Sequence, residues 1–386
     1  MLTQKRHEYK WELIIAVLYA FRFILKAVVG NDGNYDLFYL VALFALLGYL
    51  RRGVLPKSIL IGMAGLTAIY ISTLLGSPIE VKNVKTFVFA VKILLCVCLY
   101  STVKDKIIKF DFQKFLDYAA FLFFWQTLFA LAYKTDLLWR LFGFGRLELF
   151  YLEPSELGVF VGFLVILQFY YLINTNRTKR KFLNFIILAT VLGFSQSLSG
   201  ILYTVFAIGI LIVFRDGGSL TGKKILAFCI LIIALLMLVS TENFISERLV
   251  NIWYGEDSSF DTRFNFPMEM VSTYYREYGM AGFGLGNMNT AEGLSFFHLK
   301  ASNYVICAAY FLFALEGGII ALLLEVLFTM HIFYQSLRKK ESLYLALFIV
   351  MFFYMYLGGY TTNPMIWIIC GFIAAPVRME QFTDDR

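Results

Sequence analysis

Long apolar stretches, broken by short polar segments, occupy most of the chain. They fall near residues 11–29, 35–50, 57–76, 84–101, 115–133, 156–175, 182–197, 199–214, 223–240, 303–333, 342–358 and 364–380. A helix crossing a bilayer needs about 20 apolar residues, and most of these runs approach that length. They are continuous rather than alternating, so the pattern predicts helices and excludes a membrane β-barrel. The expected fold is an all-α polytopic membrane protein of about twelve transmembrane helices, one integral membrane domain spanning residues 1–386. The run from Asn303 to Phe333 exceeds one upright crossing and is expected to tilt, protrude or break near Gly317-Gly318.

Composition narrows the class further. The chain is 60% hydrophobic and 16% charged, with mean hydropathy +0.71, against roughly 25% charged residues in a soluble domain. A soluble enzyme, a disordered chain and a disulfide scaffold are thereby excluded. A net charge of +7 would suit a nucleic-acid partner if the basic residues were clustered. They are distributed by side instead. Alternate polar breaks, including Arg51-Arg52, Lys104-Lys106, Arg177-Lys181 and Arg338-Lys340, hold 22 of the 34 Lys and Arg, and the opposite breaks hold nine. Positive loops stay in the cytoplasm, so this asymmetry puts both termini inside and requires an even number of spans. It leaves no case for nucleic acid. The five cysteines all fall in apolar runs, which argues against a disulfide framework, and the first run is expected to remain as a span rather than be cleaved.

Most outer breaks are then tiny, such as Asn31–Asn34 and Gly359–Thr362; two are not. One covers residues 134–155, the other residues 241–302, and loops this long in an economical chain are usually functional. In the smaller, Arg146 precedes Glu153-Pro154-Ser155-Glu156. Pro154 suits the first position of a helix, with Glu153 and Glu156 around its N-terminal turn. The acids either cap that helix or leave Glu153 as a general base, with Arg146 as counter-charge or anion ligand. In the larger loop, Asp261 or Pro267 begins an amphipathic helix with Met268, Val271 and Tyr275 on one face and Gly279 as its stop. Arg263 lies near its start and Arg276 near its end. The glycines of Gly282-Phe-Gly284-Leu-Gly286-Asn287 make either simple turns or a cradle of backbone N–H groups for phosphate. His298 stands just before the tenth span, with no second His or Cys at ligand spacing, so no metal is expected there. Glu256, Asp257 and Asp261 could hold a divalent cation, but a solvated acidic patch is the favoured reading.

Several charges fall inside the apolar runs: Arg22 and Lys26, Lys92, Glu316 and Glu325. Ionisable groups in hydrocarbon pair or line cavities. They could form an ion pair of the Lys92–Glu316 kind, or a positive cavity near the outer leaflet suited to an anionic head group.

The order of these signals resembles bacterial O-antigen polymerases of the Wzy type and the related O-antigen ligases. The likeness covers the whole topology. It is sharpest from Arg263 through the glycine turn, His298 and Asn303 to Leu315-Glu316-Gly317-Gly318-Ile319. His and Asn are four residues apart here rather than adjoining as the family has them, and Ala321 stands where a glycine is frequent. The resemblance implies a GT-C-like glycosyltransferase fold and no cofactor, with undecaprenyl pyrophosphate as the substrate's carrier. The enzyme would move a growing glycan from that carrier to the next lipid-linked repeat unit, at the outer face of the bacterial inner membrane. Its partners would be the lipid-linked oligosaccharide, membrane lipids, a chain-length regulator and a flippase. Departing pyrophosphate would be stabilised by Arg146 and Arg263, with Arg276 or Arg22 and the Gly284/Gly286 turn, and His298 or Glu153 would take the acceptor's proton. The alternatives are a ligase acting on lipid A core, or a flippase or transporter.

Overall fold

In the computed structural model of the chain, residues 11–29, 35–107, 110–132, 142–143, 146–175, 178–214, 244–256, 263, 265–288, 290–296 and 308–376 are described. Their elements are helices α1 (Trp11–Ala20), α2 (Ile24–Val29), α3 (Phe38–Arg51), α4 (Lys57–Gly76), α5 (Asn83–Lys106) and α6 (Phe112–Ala132), then a two-residue hairpin, β1 (Phe142–Gly143) and β2 (Arg146–Leu147). After it come α7 (Pro154–Asn174), α8 (Lys179–Ser195), α9 (Leu198–Val213), α10 (Phe244–Tyr254), α11 (Asn265–Tyr278) and α12 (Ala291–Phe296). The chain ends in α13 (Ala309–Arg338), α14 (Ser342–Leu357) and α15 (Pro364–Ala374). Among the described residues five helices, α4, α5, α6, α7 and α13, are long and apolar enough to cross a membrane. The chain is a multi-pass helical membrane protein. The run expected at 223–240 lies outside the described residues.

The described helices fall into two compact units. The first holds α1, α2, α6, the hairpin, α7, α8 and most of α9. Pro154 occupies the first position of α7 as expected, and α7 is buried almost all round. Its small residues let other backbone come close: a Cβ on Gly200 would lie 2.5 Å from the Gly158 backbone. Such approaches are how membrane helices gain packing when lipid is as apolar as they are. The first apolar run is interrupted at residues 21–23, between α1 and α2.

The second unit holds α3 to α5 and α10 to α15. Ile59, Leu66 and Ile69 of α4 pack with Ile93 and Val97 of α5 and with Phe313 and Ala321 of α13. Helix α13 is not one rod. Gly318 has φ +69° and ψ −163°, a conformation open only to glycine, so the run breaks where expected. The break is a reversal. Nineteen residues of straight helix span about 28 Å, yet the Tyr310 hydroxyl lies 2.8 Å from Oγ1 of Thr329. The segment 309–317 therefore folds back along 319–338, and the second half alone, about 30 Å long, matches the hydrocarbon core. Helices α14 and α15, about 24 and 16 Å long, are each shorter than that thickness.

Candidate functional site

The residues singled out from the sequence divide between the two units, and each group is described within its own. In the first unit, Arg146 is half-buried on β2, and its Nε donates to the Ser195 carbonyl at 3.2 Å. Glu153 is exposed at the N-cap of α7 and makes no side-chain cap hydrogen bond, so the capping reading fails for it. Glu156 instead turns inward: Oε2 accepts from Leu152 N–H at 3.3 Å and Oε1 from Arg22 Nη1 at 3.0 Å.

Arg22 is the most enclosed cation described, 1% exposed. Its Nε donates to Asp36 Oδ2 at 2.8 Å, Nη2 donates to the same oxygen, and the guanidinium lies 4.9 Å from the Phe160 ring centroid. This corrects the expectation that Arg22 faces a pyrophosphate. A buried guanidinium gains most from carboxylates that complete its fork, and Asp36 and Glu156 have done so. Lys26 is likewise paired, with Glu148 and the Leu152 carbonyl. Burial pushes the Glu148 carboxyl up, and the bond and charge of Lys26 oppose it. The positive cavity expected around Arg22 and Lys26 is thus neutralised within the unit. Its result is mechanical: Arg22 and Lys26 fasten residues 148–156, leaving Glu153 exposed at the rim and Arg146 half-buried on β2.

In the second unit, α11 starts and stops where the sequence placed it, with Pro267 in its first turn and Gly279 just beyond its end. Its buried face is Pro267, Met270 and Tyr274, with Val271 and Tyr275 half-buried, whereas Met268 is exposed. The register differs from the expected 268/271/275 line because both tyrosines bond to backbone: Tyr274 donates to the Ala281 carbonyl at 2.8 Å and Tyr275 to that of Ala314 at 2.9 Å. Burial pushes the Tyr275 hydroxyl up to about 12 and Tyr274 higher still, so both act as donors at neutral pH. Arg263 is half-buried, with no ion pair among the described residues. Arg276 is exposed beside Glu277, 3.6 Å away. It lies three turns, about 16 Å, from the start of α11, so the two arginines do not converge on one small anion.

The glycine turn is an anion cradle, and it is filled from within. Gly286 N–H donates to Glu316 Oε2 at 2.8 Å and Met288 N–H to Oε1 at 2.9 Å. Gly284 N–H meets the Glu316 carbonyl at 2.8 Å, and Ile319 N–H meets that of Met280 at 2.9 Å. The expectation that Gly284 and Gly286 bind pyrophosphate is corrected: the Gly286 N–H holds the protein's own Glu316 carboxylate, and the Gly284 N–H holds the Glu316 main-chain carbonyl. A Cβ on Gly282 would lie 2.2 Å from the Glu316 carbonyl oxygen, and one on Gly318 would lie 2.4 Å from Gly282 N. Turn and helix break therefore interlock through bare backbone. Asn287 extends the lock to α5, accepting from Lys82 N–H at 2.8 Å and donating to Thr86 at 3.0 Å. The expected Lys92–Glu316 pair is absent; Lys92 is exposed.

His298, Asn303 and Asp261 lie outside the described residues, as do Asp257 and most of the loop 134–145. Among the described residues no group of three or more His, Cys, Asp or Glu could hold a metal. Sequence reasoning missed Asp36 as the partner of Arg22, and Ser195 as the seat of Arg146. The first had a signal in its acidic charge among apolar runs, the second none beyond the polar run Ser195-Gln-Ser-Leu-Ser199.

No protein-family model matches this chain, and no curated protein matches it either. Function has to be argued from the residues.

Proposed function

We propose that this protein is a polysaccharide polymerase of the bacterial inner membrane. It transfers a growing glycan from undecaprenyl pyrophosphate to the next lipid-linked repeat unit on the outer face. In this reading it has about twelve spans, both termini in the cytoplasm and a GT-C-like architecture. One observation carries the proposal: three described segments on which the likeness to O-antigen polymerases is sharpest, α11, the glycine turn and the first half of α13, form one packed piece. Helix α11, led by Arg263, docks on the ascending half of α13, the glycine turn closes over Glu316, and Gly318 reverses the chain beneath it.

The chemistry then divides by charge. Departure of the diphosphate develops negative charge, and Arg263 is a half-buried guanidinium with no internal carboxylate partner among the described residues. Arg146 serves the same end from its hairpin, and Arg276 is a further surface contact for the lipid-linked substrate. The acceptor hydroxyl loses its proton to Glu153 or His298 as the glycosidic bond forms at the anomeric carbon and its bond to the carrier phosphate breaks. Glu153 has the attribute a base needs, an exposed carboxylate held by fastened neighbours.

Gel analysis of surface polysaccharide from a strain lacking the gene tests the proposal. Single repeat units on the outer lipid support it. Full-length polymer stranded on the carrier indicates a ligase instead. Intermediates trapped in the inner leaflet indicate a flippase, a reading with its own support in the broken helix and the buried acids of α13.

A further inference from the structure

Glu325 sits on the descending half of α13, nine residues beyond Glu316, and its environment differs from that of every other buried acid described above. It is 6% exposed. Oε1 accepts from Oγ1 of Thr361 at 3.2 Å, and Oε2 has no hydrogen-bond partner among the described residues. No cation pairs with it among the described residues, whereas Glu156 has Arg22, and Glu316 has two backbone N–H groups.

The surroundings are irregular backbone beside the descending half of α13, about 9 Å along it from the break at Gly318. Thr361 belongs to the turn 358–363 between α14 and α15, and both Thr361 and Asn363 are buried. Non-helical backbone at membrane depth is tolerated where it is enclosed by protein or lines a polar site. Here the turn is enclosed: Trp367 Nε1 donates to the Thr361 carbonyl at 2.7 Å, Asn363 donates to the Tyr354 hydroxyl at 2.9 Å, and Tyr39 donates to the Thr362 carbonyl. On the other side, the fold-back at Gly318 returns Tyr310 to Thr329, one turn below Glu325.

We infer that Glu325 is an intramembrane proton-binding site, where both halves of α13 and the turn 358–363 meet. The ligand class follows from the charge at hand. A metal cation takes several oxygen ligands at once, usually with more than one carboxylate among them. Here Glu325 is a single acid among hydroxyls and one backbone carbonyl, and among the described residues it belongs to no group of three or more His, Cys, Asp or Glu. A proton needs only one oxygen, and Oε2 offers it. An isolated carboxylate enclosed in this way is costly, and a proton on Oε2 removes the charge without moving any neighbour. The titratable groups facing the site are Tyr310 from the ascending half and, beyond it, Cys370 from α15, with Tyr354 of α14, Tyr39 of α3 and Cys96 of α5 on the turn; none is charged at neutral pH. His331, nearly two turns along α13, is exposed and feels Lys104 instead. The inference is independent of the polymerase reading, because it concerns what the bundle binds and not what the outer face catalyses.

Trp367 reports on the site, since its indole bonds to the residue that bonds Glu325. Tryptophan fluorescence of the purified full chain in lipid nanodiscs is titrated with pH. Wild type is expected to show a transition that both Glu325→Gln and Trp367→Phe abolish. Thr361→Val, which removes the one donor to the carboxyl, moves its midpoint by about one pH unit. Absence of the wild-type transition, or its survival in Glu325→Gln, overturns the inference. If Glu325→Gln does not purify folded, Thr361→Val decides alone, and an unmoved midpoint is the contrary result.

Discussion

Replacing Glu316 with glutamine changes almost nothing in shape and one thing in chemistry. The carboxylate accepts two N–H groups, one on each oxygen, from Gly286 and Met288. An amide offers one acceptor, and its NH2 group must face the other N–H, donor against donor. One charge-assisted hydrogen bond becomes neutral and the second becomes an unsatisfied buried donor. Losing charge assistance costs about 1 kcal/mol, and a stranded N–H about 1–3 kcal/mol, so the turn is weakened by about 2–4 kcal/mol. Local opening of the glycine turn should then be about 30- to 700-fold more frequent, at a factor of ten per 1.4 kcal/mol. Hydrogen–deuterium exchange of peptides covering residues 283–290, in nanodiscs, reads this directly. Glu316→Gln should accelerate exchange there, while peptides of α7 remain unchanged. Equal protection in both proteins would show that the turn is held by something other than the carboxylate, and the interlock argument would fail.

Other perturbations have equally definite outcomes. Arg22→Met strands Asp36 and Glu156 in the interior and should cost about 3–5 kcal/mol, seen as a large fall in thermal stability; replacing all three groups with apolar residues should recover most of it. A normal melting temperature in the single variant would mean the three charges are not coupled. Gly318→Ala puts a Cβ 2.4 Å from Gly282 N in a backbone region closed to alanine, and should cost about 3 kcal/mol or more, with loss of the folded peak in gel filtration. Lys339 is buried against the Tyr344 ring, and burial pushes its amine down to about 8. The unfolded chain, with lysine near 10.4, then binds more protons between those values, so stability should rise with pH from about 8 to about 10.4. That slope should vanish in Lys339→Met; an unchanged slope would locate its source elsewhere.

The apolar runs made the helices legible, because hydrophobic length is a local property. Pro154 and Pro364 each open a helix and Gly279 follows the end of one, all readable within a few residues. The break at Gly317-Gly318 was equally local, but its angle was not: only the distant Tyr310–Thr329 contact makes it a reversal. The partners of charged groups were the hardest to read. Arg22 and Glu156 are 134 residues apart, and no periodicity links them. The glycine turn was open between simple turns and a phosphate cradle, and its N–H groups at 286 and 288 take a side chain of the protein instead. Nothing in Gly282–Asn287 says that the anion is Glu316, thirty residues away. The offset register of α11 has a similar cause, since its tyrosines are turned by backbone carbonyls that belong to other segments.

The central claim is that an arginine at the head of α11 stabilises a departing lipid diphosphate. Its most direct test is turnover by purified protein in nanodiscs, supplied with polyprenyl-pyrophosphate-linked oligosaccharide, scoring glycan length and released carrier diphosphate together. Wild type should extend the glycan and release one diphosphate per linkage. Arg263→Ala should lose about a hundredfold or more in rate while keeping its thermal stability, and Arg263→Lys should recover little of it. Full-rate extension by Arg263→Ala would contradict the account.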